Sequence, residues 1–561
     1  MKHAILSPPD RNPGARWFWW PLLVIFLMSS GWALASPISS IPDEPAHIVK
    51  AAAVVRGELV GAQTGEGGPL LAVQVPRFIE HTNQITCFVR DLTATPKCSP
   101  PIPDDASETV PGLTTAGLYN PVYYAAVGWP SLLATGFKAV YGMRLVSALL
   151  TSIFLALAFS ALSRLPRNKW AILTLAAAVT PMTLFLSGSV NPNSLEYGTT
   201  AAIAANLLLL LKGSLRGRAL VVPVVATTVA AALLANTKAL SLLWLLVVVV
   251  AVLILGTAAE LRSLLRRPAV WAGAAVIGAS CAFALWWVAS HDSLSSKPFD
   301  GAGLGFDAGA EIMIDKTFLF MHGYIGQFGW LELDAPTGVM ALWTAVFFSA
   351  ALAGIIYGRG RYRIATIFVS AALLLLPILL QAVIITDQGM VWQGRYILAI
   401  FVPCLMIAGI ALDNVNPRPW PAPAVPALNT LIVLLAVCHV VTFIWVLRRY
   451  VTGLAMDIRW ADMIDNPQWQ PPLGTLTIVT VFAAGTILGT FLMLRHVRSN
   501  SVAAAPDAPA AAPVAPDAAP DAAPVQPSLP AADSTTRPDD PGPAFPAGGT
   551  DRRAPVKLGT P

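Results

Sequence analysis

Residues 219–258 read ALVVPVVATTVAAALLANTKALSLLWLLVVVVAVLILGTA: two apolar runs, 219–236 and 239–258, on either side of Thr237-Lys238. A helix of about 20 apolar residues spans the hydrocarbon core of a bilayer. In that medium every backbone N–H and C=O must be paired within the segment, which leaves the helix as the conformation open to such a run. The stretch is therefore a membrane hairpin with one cation at its tip. Working outward, the same pattern recurs at 17–36, 145–163, 170–189, 195–212, 269–290, 338–357, 364–385, 396–414, 427–447 and 473–494. The fold expected is an all-α integral membrane protein of about 12 transmembrane helices.

Composition agrees. Of 561 residues, 12% are charged and 55% hydrophobic, against roughly 25% charged in soluble proteins. A soluble enzyme is excluded. The 36 Lys and Arg against 31 Asp and Glu give a net charge of +5, but these cations fall in small groups between apolar runs. No basic stripe interleaved with aromatics is present, so nucleic acid is not expected as a partner. The cations read instead as topology. Arg164, Arg167 and Lys169; Lys212, Arg216 and Arg218; Arg262, Arg266 and Arg267; Arg359, Arg361 and Arg363; and Arg495 and Arg498 occupy alternate connections. The positive-inside rule makes those connections cytoplasmic, together with both chain ends. The first run follows Lys2, Arg11 and Arg16 and ends at Ala33-Leu34-Ala35, as a signal peptide would, but its length and its Trp17-Phe18-Trp19-Trp20 belt favour a retained helix.

Residues 1–16 are then a cytoplasmic N-terminus, 17–498 a polytopic membrane domain, and 499–561 a Pro/Ala-rich cytoplasmic tail expected to be disordered, being too poor in apolar residues to bury a core. The first extracytoplasmic loop, 37–144, is large, and its apolar part, 121–141, is read as an interfacial helix. Cys87 and Cys98 lie in that loop, where an oxidising compartment allows them to pair; Cys281, Cys404 and Cys438 lie within apolar runs.

Apart from His439, ionisable residues avoid the centres of the runs and gather at their outer ends, whereas an ion-coupled transporter needs them near the midplane. The densest group is Ile41-Pro42-Asp43-Glu44-Pro45-Ala46-His47. Two carboxylates and an imidazole in five residues supply a general base or metal ligands; Asp43 or Glu44 ahead of Pro45 equally reads as a helix cap. Asn191, Asn193 and Glu196, then Asn236 and Lys238, then His291 and Asp292, then Asp387, Gln393 and Arg395 follow at later outer ends. Lys238 either meets a phosphate or snorkels to the interface. Arg395, in Trp392-Gln393-Gly394-Arg395-Tyr396, either grips a phosphate with its planar fork or anchors the helix end.

Pro42-Asp43-Glu44-Pro45-Ala46-His47, Asn191-Pro192-Asn193-Ser194-Leu195-Glu196, Thr237-Lys238-Ala239-Leu240-Ser241, Phe328-Gly329-Trp330-Leu331 and Trp392-Gln393-Gly394-Arg395-Tyr396 follow one another in an order that resembles a family of bacterial multi-pass membrane proteins. That family is defined by a domain of unknown function and is similar to the GT-C glycosyltransferases. The resemblance covers about residues 15–450. It implies a GT-C-like enzyme of the bacterial cytoplasmic membrane that takes a sugar from a polyprenyl-phosphate carrier and passes it, outside, to a glycan, lipid or protein acceptor. By the same resemblance Asp43 is the base with Glu44 beside it. The donor's phosphate would need a cation, for which Lys238 and Arg395 are the candidates, and His47, Gln393, Asn193 and Glu196 are read as the other substrate-binding residues. A divalent metal is compatible with the motif but not required, since His47 and Glu44 form an incomplete ligand set. A lipid-linked glycan flippase and a non-catalytic scaffold of envelope assembly are the alternatives from other classes; membrane lipid is a partner in each.

Overall fold

The computed structural model describes residues 13–64, 70–101, 103, 105–213, 215–291, 299–415 and 419–501. Lys2, Arg11, Asp292 and the tail from 502, whose disorder the composition predicts, lie outside the described residues. Contacts divide the chain into two units at 503, and the helical bundle is the unit before that point.

In chain order the principal helices are α1 (Pro13–Ala35), α2 (Glu44–Val54), α3 (Pro121–Gly128), α4 (Gly136–Ser163), α5 (Lys169–Ala178), α6 (Pro181–Ser187), α7 (Pro192–Lys212), α8 (Val221–Ala235), α9 (Ser241–Leu255), α10 (Pro268–His291), α11 (Thr337–Tyr357), α12 (Arg361–Gln388), α13 (Leu398–Val415), α14 (Ala424–Val451) and α15 (Thr475–Ser499). Among the described residues ten helices are long and apolar enough to cross a membrane, or twelve if each of two bent pairs is one span. The first pair, α5 and α6, bends by 65° at Val179-Thr180. Pro181 causes the break, because it lacks an N–H and disfavours helical backbone in the residue before it. The freed Thr180 hydroxyl donates to the Tyr324 carbonyl at 2.7 Å. The second pair, α9 and the short helix Ala258–Leu265, bends by 119°. There Thr257 and Glu260 form a capping box, and Glu260 also meets Lys212 at 2.8 Å.

The helix ends sort into two sets. At one, Arg164 donates to the Ala219 carbonyl, Arg167 to that of Asn414, and His496 meets the Lys169 carbonyl. This is the cation-rich end. At the other, Asn120 donates to Asn236, Asn191 to the Pro42 carbonyl, Trp330 to that of Ser39 and Trp287 to that of Leu118. The candidate site residues lie at this second end. Gly485 and Gly489 face Met28 and Val24 and allow α15 to lie close against α1.

The segment 37–144 forms its own small layer over the bundle. It contains an antiparallel sheet, β1 (Ala62–Gln63), β2 (Leu71–Pro76) and β3 (Thr109–Thr114), in the order β1-β2-β3. The sequence reading gives this loop an interfacial helix and names no strand; the sheet is an addition to it. The single interfacial helix read over 121–141 is also revised. Pro130 ends α3 and opens a further short helix, and residues from Gly136, which has φ +60°, already belong to α4.

Cys87 and Cys98 are joined in a disulfide with their Cα atoms 6.1 Å apart. The enclosed segment, 88–97, is held through residues 88–94 to the end of α14 by Arg449, which donates to the carbonyls of Phe88 (2.6 Å), Ala94 (2.6 Å) and Asp91 (2.8 Å) and pairs with Glu332. A loop of this length stabilises by about 3 kcal/mol in the chain-entropy description. Thiol titration of unreduced, denatured protein should therefore find only Cys281, Cys404 and Cys438 reactive, and reduction should lower the thermal transition. Five reactive thiols before reduction would remove the bridge.

Candidate functional site

The turn between α1 and α2 is fixed from several directions. Arg144, on α4, is fully buried and uses all five of its N–H groups: to the carbonyls of Ala33 (2.9 Å), Ser36 (2.6 Å) and Pro37 (2.8 Å), and twice to the Glu44 carboxylate. Glu44 also accepts from the Val190 N–H at 3.2 Å. Ser39 is anchored through its hydroxyl to the Thr82 carbonyl. Between these points Asp43 has φ +64°, the left-handed region that non-glycine residues enter at a cost.

Asp43 precedes α2, yet its side chain makes no capping bond. Its carboxylate instead pairs with Arg395, 352 residues away. The cap reading is thereby overturned for Asp43. Glu44 is placed differently: its carboxylate is sealed in the Arg144 pair and has no exposure. The adjacent carboxylates diverge because Asp43, at the positive φ, turns toward Arg395 while Glu44 enters the helix. The Asp43 side chain keeps 43% of its accessible surface although protein surrounds it, so it faces an open space at the end of the bundle. Burial opposes its charge, but Arg395, through its charge and its hydrogen bond, and Lys238 outweigh that, and the carboxyl is held below its ordinary value of 3.8.

Arg395 lies in the turn that leads into α13 and is 1% exposed. Gln381 fixes the preceding irregular segment by accepting from the Val391 and Trp392 N–H groups. Gly394 is required at its place, since a Cβ would collide with the Phe320 carbonyl oxygen. One terminal nitrogen of Arg395 serves Asp43; its Nε and the other terminal nitrogen are buried without a protein partner. Lys238, at the tip of the opening hairpin, turns inward rather than snorkelling and donates to the Asn193 side-chain carbonyl. Both cations lie over the Tyr396 ring, at 5.1 Å for Lys238 and 5.2 Å for Arg395.

Asn193 is placed by the start of α7, where Asn191 caps the helix through the Asn193 N–H. Its amide nitrogen and the Gln393 side-chain oxygen are likewise buried and unpaired. Glu196, one turn on, accepts from Ser241 at 2.7 Å, and Ser241 in turn accepts from the Lys238 N–H. His47 meets the Tyr124 hydroxyl at 2.9 Å. Burial pushes its pKa down to about 3, so the ring is neutral. Burial, with Asp43 nearby, pushes the Tyr119 phenol up to about 12.

Asp43, His47, Asn193, Glu196, Lys238, Gln393 and Arg395 thus meet at one end of the bundle, and Glu44 stands behind them. Sequence reasoning missed Arg144, Ser241 and the tyrosines. Arg144 carried a signal, as a cation that, with Lys138, stands at the cation-poor end of its span. Among the described residues no three His, Cys, Asp or Glu side chains group as a metal site, and Glu44 and His47 are turned to different partners. The chemistry available is a carboxylate beside two cations and several unpaired N–H groups, which suits an anion and a hydroxyl together.

The family described as predicted membrane protein (DUF2142) matches residues 26–404. No curated protein matches the chain. Among solved structures, the crystal structure of ArnT from Cupriavidus metallidurans bound to undecaprenyl phosphate is similar at 14% identity, covering 87% of this chain and 77% of that one with a TM-score of 0.42. The apo form of the same protein is similar at 15% identity, 84% and 75% coverage and a TM-score of 0.42.

Proposed function

The chain belongs to the DUF2142 family of predicted membrane proteins, and from its site we propose that it is a GT-C-type glycosyltransferase acting at the extracytoplasmic face on a polyprenyl-phosphate sugar. The observation that carries this reading is the set of buried, unpartnered donors, two on Arg395 and one on Asn193, beside Lys238 and next to the Asp43 carboxylate. Buried N–H groups without partners are costly and rare, and their convergence marks the place of an anion.

In the reaction the acceptor oxygen bonds to the anomeric carbon of the sugar while the carbon–oxygen bond to phosphate breaks. The hydroxyl proton goes to Asp43, and the bonding electrons leave with the phosphate. The charge that develops there is met by Arg395, through its planar fork of donors, and by Lys238. Asn193 and Gln393 offer a donor and an acceptor to the phosphate and sugar; Glu196 and Ser241 hold the Lys238 loop. His47, neutral and fixed by Tyr124, lies near Asp43 without adding charge.

Lipid extracts from cells lacking the protein should accumulate one polyprenyl-phosphate glycoside, which the purified wild type consumes. Arg395→Met and Lys238→Met should each bind polyprenyl phosphate roughly 10-fold or more weakly, the scale of one lost charged hydrogen bond. Unchanged binding in both variants, with no glycoside accumulating, would refute the assignment.

A further inference from the structure

A second cavity lies away from the site. It measures about 830 Å³ and separates α11 from α14 over the half of the bundle nearer the cation-rich end, with α1, α5, α13 and α15 forming its floor and far wall. Trp343 on α11 and His439 on α14 meet at its top with ring centroids 4.9 Å apart. From there it runs to Tyr357 and Met493. Along α11, Trp343 to Tyr357 is about 21 Å of helix, somewhat more than the roughly 15 Å of hydrocarbon in one leaflet.

Its walls are almost wholly apolar. The hydroxyls of Thr174, Thr486 and Thr490 are spent on the carbonyls of their own helices. Protein interiors leave few voids larger than a water molecule, and an apolar space does not hold water. A space of this size at membrane depth is filled by hydrocarbon. The donor's tail is not its occupant, because Phe401, which lies on α13 between Arg395 and Leu405, where the cavity begins, packs against Tyr324 and Phe347 with ring centroids 5.3 Å apart.

The rim supplies the second observation. Arg359 and Arg361 follow Tyr357 in the chain, and Arg495 and Arg498 follow Met493. No carboxylate among the described residues pairs with any of these four. A chain-length apolar cleft below unpaired guanidinium groups matches a lipid with a negative headgroup. We infer that this cleft binds one acyl chain of an anionic phospholipid from the leaflet at the cation-rich end, with Arg359, Arg361, Arg495 and Arg498 receiving the phosphate.

The inference stands apart from the transferase reading and is tested without it. Full-length protein, purified in mild detergent, is analysed by native mass spectrometry after addition of phosphatidylglycerol or phosphatidylethanolamine, and its thermal transition is followed. Wild type should retain one phosphatidylglycerol in preference to phosphatidylethanolamine and be stabilised by it. Ala353→Trp, which fills the cleft, should lose the bound lipid and the added stability; Ala345→Phe, at a more exposed wall position, serves if the first variant does not fold. Arg359→Gln with Arg495→Gln should keep a lipid but lose the preference by about 10-fold. Equal retention of both lipids by wild type, undiminished phosphatidylglycerol in the filled variants, or displacement of that lipid by polyprenyl phosphate would each overturn the inference.

Discussion

Asp43→Asn should fold and express as the wild type does and yet transfer sugar roughly 10²-fold or more slowly, the usual scale for loss of a general base. The substitution is informative because the carboxylate caps nothing. Asn tolerates the left-handed backbone that residue 43 adopts, and its side-chain oxygen still accepts from Arg395. What it cannot do is take a proton. Binding of polyprenyl phosphate should survive, since the donors that meet the anion are untouched. Near-normal turnover by Asp43→Asn would remove Asp43 from the chemistry whatever the standing of the phosphate site. The same carboxyl sets the pH profile. Its pKa is lowered in the folded protein, so it stays ionised, and any stability it lends is present, above the unfolded value of 3.8; both are lost as pH falls through the lower folded value. The acid limb of transfer should lie below the ordinary carboxylate range and move upward in Arg395→Met.

Arg144→Met should cost about 3–5 kcal/mol of stability, the usual result of removing one partner from a buried ion pair. It leaves the Glu44 carboxylate and the carbonyls of Ala33, Ser36 and Pro37 without their donor. The measurement is thermal unfolding in detergent, alongside the yield of monodisperse protein. Glu44→Leu combined with Arg144→Met should be less destabilised than Arg144→Met alone, because no charge is then stranded, and the two substitutions should be strongly non-additive. If Arg144→Met unfolds at the wild-type temperature while Glu44→Gln is stable and inactive, Glu44 returns to the chemistry and the assignment made from its burial is wrong.

The spans were legible because each must carry about 20 apolar residues in sequence, a constraint that needs no tertiary information. The bent pairs at Thr180-Pro181 and Gly256-Thr257 had local marks as well, a proline and a capping box. The sheet did not. β2 offers only six residues of alternation, and β3 is Thr109-Val110-Pro111-Gly112-Leu113-Thr114, where proline and glycine hide the pattern that its pairing with β2 restores. In the site, Asp43, His47, Asn193, Glu196, Lys238, Gln393 and Arg395 were visible as polar chemistry at the ends of apolar runs, whereas Arg144, Ser241 and the tyrosines were not singled out. Which of two adjacent carboxylates faces Arg395 was not legible, because that depends on one positive φ and on Arg144 arriving from another helix.

Asp43 and Arg395 are separated by 352 positions, and this distance has a consequence for biogenesis. The ribosome delivers the carboxylate immediately after the first membrane helix, Asn193 and Lys238 somewhat later, and the guanidinium only when about seven-tenths of the chain has been made. Until then the nascent protein carries the Asp43 carboxylate without the guanidinium that pairs with it. On the proposed function, a chain stalled or cleaved before residue 395 should lack transfer activity, because its anion site is incomplete.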